Sequence, residues 1–226
     1  LRIIAALSND KKMIEAFKRG LDIHAYTASE INNVPIEKVT PQMRFAAKAL
    51  NFGIIYGIGE KSFGESAGIS REKARDFINE YFRDFSGIAS YMEELKNQAR
   101  SVGFTLTLFG RRRYIPEIKS PNPMLRAQAE RIAVNMPIQG LEADIIKKAM
   151  IVLHDSVLKK YSDKIRMVLQ VHDELLFEVK EDLIKKITPE IVKIMEGVIN
   201  LKVPIIADAK TGDNWGNLRV FSKNSS

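Results

Sequence analysis

The pattern of apolar and polar positions predicts a chain that is mostly helical in its first half and mixed helix and strand in its second. The clearest helix starts after Thr40, a residue type that caps helix N-termini, and Pro41 favours the first helical position. At 100° per residue, one side of this helix is an apolar stripe that would face a core. The stripe comprises Met43, Ala47, Leu50 and Ile54.

The same periodicity predicts further helices on both sides of this segment. They cover residues 1–20, the segment around His24 as far as Val34, 71–84, Gly87 to Gly103, 124–136, 141–161 and about 188–199. Gly57, Gly59 and Gly64 predict a flexible connection. Pro137 and Gly140 are expected to separate the helices at 124–136 and 141–161, because a proline ring clashes with the carbonyl four residues earlier.

Strand-forming residues are concentrated later in the chain. A strand is predicted for 104–109, and another for Val203–Ala209 near the end. Between them, IRMVLQV and ELLFEV are separated by His172 and Asp173, which predicts a β-hairpin with a two-residue turn. The change from helical to mixed pattern falls near 120–125.

The helix after Thr40 has a second face that is not simply polar. Arg44, Lys48, Phe52 and Tyr56 recur every four residues, so they lie along one side. Two cations near a helix N-terminus favour an anion, and two rings offer surfaces on which a sugar and a base can stack. This order fits a nucleotide, although a solvated charged face is the more common meaning of an Arg/Lys pair alone.

Composition narrows the classes of partner and of metal site. The 226 residues have a formal charge of +7 and a pI of about 9.5, which suits a polyanion. The chain has no Cys and three His, which excludes disulfides and thiolate metal sites and disfavours a histidine zinc site. No apolar run approaches the roughly 20 residues of a membrane span.

Three other segments contain residues that could bind a metal ion or a nucleic acid. Asp173 at the hairpin turn could bind a divalent metal, but Asp is also ordinary in turns. In AERIAVNMPIQG, Arg131, Asn135 and Gln139 share a face only if the helix continues past Pro137. The run Arg111 to Arg113 allows a phosphate contact, without indicating which of the three makes it.

These segments, in this order, resemble family A DNA polymerases, the DNA polymerase I family, over about residues 1–219. The resemblance implies an α+β right-hand polymerase architecture, with helical fingers and a palm whose antiparallel sheet carries the catalytic hairpin. Residues 1–124 would be mainly fingers and 125–226 palm. The reaction would be template-directed transfer of a deoxynucleotide to a primer 3′ end, with primer-template DNA and dNTPs as partners and two Mg²⁺ ions as cofactor.

The resemblance also implies roles for individual residues. Nucleotide binding falls to His24, Arg44, Lys48, Phe52 and Tyr56. Lys48 is in addition a candidate proton donor to pyrophosphate, Asp173 a metal ligand and Glu174 its support. Contacts with DNA fall to His172 at the primer end and, in the minor groove, to Arg131, Asn135 and Gln139. The minor-groove acceptors are common to all base pairs, so these contacts would be largely blind to sequence.

Two-metal transfer needs more than one carboxylate. The family's partner Asp precedes a Leu-Arg that matches Leu1-Arg2, and Asp10 and Asp22 match neither this Asp nor the Glu near it. The chain alone is therefore expected to be inactive and to need an N-terminal portion, as a separate chain or a lost segment. Two alternatives are a non-catalytic DNA-binding subunit and an RNA-synthesising relative, although Glu174 favours DNA synthesis.

The family resemblance implies a cytoplasmic, nucleoid-associated location in a bacterium, with an organelle or a phage-infected cell as alternatives.

Overall fold

A computed structural model describes residues 1–221 of the chain. The chain forms two compact units, the first comprising Leu1–Leu141 and the second beginning at Glu142. This division falls inside a long helix, whereas the sequence pattern changes near 120–125. The assignment of 1–124 to fingers and 125–226 to palm stays a prediction.

The first unit is dominated by helices. They are α1 (Arg2–Ser8), α2 (Lys11–Lys18), α3 (Ile23–Asn32), α4 (Pro41–Ile55), α5 (Glu60–Ala67), α6 (Arg71–Asp84) and α7 (Ser86–Val102). The short antiparallel strands β1 (Phe104–Leu106) and β2 (Arg112–Tyr114) follow, and α8 (Pro123–Leu153) begins here. Two expectations were wrong: the segment predicted as flexible contains α5, and the break before α7 falls at Phe85 rather than Gly87.

The second unit combines helices with two antiparallel strand pairs among its described residues. A π-helical turn (His154–Leu158) ends α8, the hairpin β3 (Ile165–Val171) and β4 (Glu174–Val179) follows, and α9 (Ile184–Gly197) precedes β5 (Lys210–Thr211) and β6 (Arg219–Val220). Helix α9 begins before Pro189 rather than at it. The strand predicted at Val203–Ala209 is absent, because an apolar extended segment becomes a strand only beside a partner, and these residues pair with no described strand.

Asp10 is a structural residue of the first unit. It is buried, and its carboxylate caps α2 by accepting a hydrogen bond from the backbone N–H of Met13 at 3.0 Å. Its second oxygen accepts the N–H of Gly87 at 3.0 Å, which ties the start of α7 to α2. Because both oxygens are engaged by the backbone, the carboxylate stabilises packing instead of offering a free metal ligand.

Helix α8 runs unbroken through Pro137, so the predicted split between 136 and 141 was wrong. A proline lacks the N–H that would bond the carbonyl four residues earlier, here that of Ala133. In this protein the hydroxyl of the buried Thr105, on β1, donates to that carbonyl at 3.3 Å. Further along, the Arg111 guanidinium donates to the carbonyl of Gly140 at 2.8 Å. The β1–β2 hairpin therefore supplies hydrogen bonds to the part of α8 that contains the proline.

We expect Thr105→Val to destabilise the chain by about 1–3 kcal/mol, because it keeps the shape but leaves the buried Ala133 carbonyl without a donor. Urea denaturation measures the free energy of unfolding. The matched control is Thr105→Val made in a Pro137→Ala background, where residue 137 has an N–H that can bond the Ala133 carbonyl. The loss should be smaller in that background. An equal loss in both backgrounds would contradict the compensation.

Candidate active site

Helix α4 presents the predicted nucleotide-binding face to solvent. The Thr40 hydroxyl accepts the N–H of Met43 at 3.2 Å, which confirms the predicted cap. Ala47, Leu50 and Ile54 are buried, while Met43 is half-buried. The opposite face is exposed and comprises Arg44, Lys48 and Phe52, followed by the exposed Tyr56 at the C-cap of α4. The rings of Phe52 and Tyr56 are 45% and 53% exposed, so about half of each is open to a ligand.

Two glycines shape the C-terminal end of α4. A Cβ at Gly53 would lie 2.7 Å from Cγ2 of Ile58, so this glycine is explained by packing within the chain. Gly57 has a φ of +67°, and a Cβ there would lie 2.7 Å from Cγ of Arg131. The aliphatic part of Arg131 thus packs beside Gly57, next to Tyr56. Arg131, which is predicted to contact DNA, therefore lies against the glycine that directly follows Tyr56.

Arg44 is held by a carboxylate from α3. Its Nε donates to Oδ2 of Asp22 at 2.8 Å. The other oxygen of Asp22 caps α3 by accepting the N–H groups of His24 and Ala25 at 3.0 and 3.1 Å. Partial burial raises the pKa of Asp22, but the hydrogen bonds from Arg44 and from the two backbone N–H groups outweigh it, so the pKa lies below its ordinary value. Asp22 is consequently ionised at neutral pH.

His24 lies beside this pair, half-buried and tilted against Phe52 with ring centroids 5.7 Å apart. Partial burial lowers the pKa of His24, and the charges of Arg44 and Lys48 lower it further although the Asp22 carboxylate opposes them. Nδ1 of His24 lies 3.2 Å from Nδ2 of Asn51. An amide nitrogen only donates, so Nδ1 accepts and the neutral ring has its proton at Nε2.

The buried Asn51 holds the His24 ring in place. It is fully buried on α4, and its Nδ2 also donates to the hydroxyl of the buried Thr27 at 3.0 Å. The histidine is therefore oriented by a buried amide that belongs to the same helix as Arg44 and Lys48. The first unit brings His24, Arg44, Lys48 and Phe52 together, and their role in nucleotide binding stays a prediction.

The three α8 residues predicted to contact DNA are spaced four apart, so they lie on one face because α8 continues through Pro137. Arg131 and Gln139 are exposed and Asn135 is half-buried. The side-chain oxygen of Asn135 has no hydrogen-bond partner within the described part of the chain. In the arginine run, the Arg111 guanidinium already donates to the Gly140 carbonyl. The Cζ atom of Arg112 lies 4.2 Å from the ring centroid of Phe104, and its Nη1 donates to the Tyr114 hydroxyl at 3.0 Å.

The second unit contains the predicted hairpin with its two-residue turn. Val171 pairs with Glu174, and His172, with a φ of +54°, adopts the left-handed conformation that the turn requires. His172, Asp173 and Glu174 are all exposed. The Gln170 amide donates to the His172 carbonyl at 2.6 Å and braces the turn. The hairpin thus fixes Asp173 at its tip and leaves the carboxylate open to solvent.

Glu174 has a partner that the sequence did not indicate. The indole N–H of Trp215 donates to its Oε1 at 3.2 Å. The backbone N–H of Ala207, in the segment before Trp215, donates to Glu196 on α9 at 3.1 Å. The Trp of the C-terminal segment thus reaches the carboxylate beside Asp173.

The carboxylates of residues 1–221 do not form a complete metal site. These residues contain no group of three His, Cys, Asp or Glu side chains that could hold a metal ion. Asp173 fits one position in a Mg²⁺ site, since Mg²⁺ prefers carboxylate oxygen and is often bound by one or two carboxylates with water and phosphate.

Sequence reasoning missed Asp22, Thr27, Asn51 and Trp215 as neighbours of the site. Asn51 had a signal, since it is a polar residue between the apolar Leu50 and the ring of Phe52. Asp22 had another, as an N-cap residue two positions before His24. Thr27 and Trp215 had none, because their contacts depend on tertiary packing.

Comparison with known proteins shows the family of the chain. The profile of DNA polymerase family A matches residues 1–217. DNA polymerase I of Caldicellulosiruptor bescii is 49% identical over 95% of this chain and 25% of its own length, and that of Pseudomonas aeruginosa is 44% identical over 95% and 23%. The chain thus spans about a quarter of the length of these relatives. The described residues contain no helix that is long and apolar enough to cross a membrane.

The fold matches a solved polymerase domain. The POL domain of Pol1 from M. smegmatis, in complex with DNA primer-template and dNTP, has a TM-score of 0.84 and 43% identity over 90% of this chain and 36% of its own. The architecture is therefore of the right-hand polymerase class, with helices and small antiparallel sheets. The chain belongs to DNA polymerase family A.

Proposed function

We propose that this chain supplies the fingers and most of the palm of a DNA-directed DNA polymerase. The reaction adds a deoxynucleotide to a primer 3′ end. The 3′ hydroxyl gives its proton to water and its oxygen bonds to the α-phosphorus. The bond between the α-phosphorus and the oxygen that bridges to the β-phosphorus breaks, and pyrophosphate leaves. The observation that supports this function most directly is the exposed face of α4, with Arg44, Lys48, Phe52 and Tyr56 in register and His24 beside it.

Each part of this face has a task in nucleotide binding. Arg44 and Lys48 neutralise the triphosphate near the N-terminal half of α4, where the helix dipole also favours an anion. His24, neutral with its proton at Nε2, donates a hydrogen bond without adding charge. Phe52 packs on the sugar and base, and Tyr56 stacks near the template base. Lys48 also donates the proton that the leaving pyrophosphate accepts.

The hairpin of the second unit supplies carboxylates for the metal site. Asp173 would hold Mg²⁺, with Glu174 as support and an Asp from the N-terminal portion of the polymerase as a further ligand. When bound, two such ions stabilise the negative charge on the attacking and leaving oxygens. His172, exposed next to Asp173, contacts the primer end.

DNA binding extends along α8. Arg131, Asn135 and Gln139 lie on one face of an unbroken helix, and the Asn135 oxygen lacks a partner within residues 1–221. We assign them to the minor groove of the primer-template duplex. The bacterial origin of the relatives named above supports a cytoplasmic location at the nucleoid.

Primer extension with Mg²⁺ and dNTPs tests the function. We expect no extension by this chain alone and extension by a polymerase that contains it, because the carboxylates of residues 1–221 do not form a complete metal site. Extension by the chain alone would refute the incomplete site. No extension by either form would refute the polymerase function.

A non-catalytic DNA-binding part is the second candidate, and the incomplete carboxylate set of residues 1–221 favours it. The discriminating measurement is dNTP binding. A DNA-binding part would bind primer-template without dNTP, whereas a polymerase should bind the matched dNTP more tightly than the three mismatched ones.

A further inference from the structure

One carboxylate contacts two of the candidate nucleotide-binding residues of the first unit, His24 and Arg44. Asp22 accepts two backbone N–H groups at the start of α3, which fix the orientation of its side chain. Its other oxygen accepts Nε of Arg44 at 2.8 Å. The next residue but one is His24, so the cap that starts α3 also sets the place of that ring.

Asp22 contacts Arg44 at Nε, and not at the two terminal nitrogens of the guanidinium. Arginine has five N–H donors in a planar fork, and Nε contributes one of them. Holding the guanidinium through Nε fixes the plane of the group and leaves the four donors on Nη1 and Nη2 for a bidentate contact with phosphate. A carboxylate that is itself fixed by the backbone is a rigid anchor for this purpose.

We propose that Asp22 is a positioning residue of the triphosphate site, which orients Arg44 through Nε so that its Nη donors are arranged before the nucleotide arrives. This inference rests on the proposed nucleotide-binding function of α4. It assigns Asp22 an action through Arg44 and no contact with the substrate. A preformed donor avoids the ordering of a long side chain during binding, so the benefit appears in substrate affinity.

The test is Asp22→Asn in the polymerase that contains this chain, assayed for KM and kcat of dNTP incorporation. Asn caps helices as well as Asp does, so α3 is retained, but the side chain loses the charge that holds Nε. We expect KM to rise about two- to tenfold, the factor for ordering one flexible side chain, with kcat changed less than twofold. Asp22→Ser, which also caps, should give the same result if Asn disturbs the fold.

Two comparisons make the result specific. Glu93→Gln removes the same charge and breaks the ion pair with Arg100 on α7, and should leave KM unchanged. In an Arg44→Ala background, Asp22→Asn should have no further effect, because it acts through Arg44. An unchanged or lowered KM for Asp22→Asn, or an equal rise without Arg44, would overturn the proposal. If Arg44→Ala itself leaves KM unchanged, the proposed role of the α4 face fails instead.

Discussion

Asp173→Asn should reduce the rate of nucleotide incorporation by the complete polymerase by about 1,000-fold or more. A metal ion contributes several kcal/mol of transition-state stabilisation, and about 1.4 kcal/mol corresponds to a factor of ten in rate. The substitution separates the two meanings of an aspartate at this position. Asn is as acceptable as Asp in a tight turn, so the hairpin is retained, but a neutral amide is a poor Mg²⁺ ligand. The measurement is single-turnover primer extension.

Asp163→Asn is the matched control for this substitution. Asp163 is exposed and lies just before β3, at the opposite end of the same hairpin. It should leave the rate unchanged, and both variants should unfold within about 0.5 kcal/mol of the wild type, as exposed substitutions usually do. Asp173→Asn should still bind primer-template DNA. A rate within tenfold of the wild type would show that Asp173 is a turn residue and not a metal ligand.

Lys48→Ala should reduce kcat for incorporation by about 100-fold or more, because general acid catalysis typically contributes 10²–10⁴-fold. Lys48 is exposed on α4, one turn after Arg44, so its removal affects the substrate and not the core. Arg44→Ala should instead act mainly on KM for dNTP, since it removes a binding contact present before and during the reaction. Pre-steady-state incorporation at varied dNTP concentration separates the two effects.

Lys18→Ala controls for the loss of one positive charge from the first unit. Lys18 is exposed at the end of α2, and its removal should change neither kcat nor KM. A kcat of Lys48→Ala within twofold of the wild type would assign the proton transfer to another donor.

The sequence predicted those features whose signals are local. The Thr40 cap, the buried and exposed faces of α4 and the two-residue turn at His172-Asp173 each depend on neighbours within a few residues, and each is confirmed. Such signals survive because capping, helical periodicity and turn geometry are properties of short segments.

The sequence failed where a distant residue changes the local preference. Pro137 normally ends a helix, but Thr105, 32 positions earlier, supplies the hydrogen bond that the proline cannot. The segment Val203–Ala209 has strand-forming residues without a partner strand among the described residues. Thr27 and Trp215 were missed for the same reason, since Thr27 reaches Asn51 and Trp215 reaches Glu174 only after folding.

The contact between Trp215 and Glu174 also has an optical consequence. Trp215 is the only tryptophan of the chain and is 49% exposed, so indole emission arises from one place, adjacent to the carboxylate that follows Asp173. Indole fluorescence responds to the charge and hydration of its surroundings. Any event that draws Glu174 away from the indole N–H therefore changes the colour or intensity of that emission, and the chain contains an intrinsic, label-free reporter of the state of its hairpin.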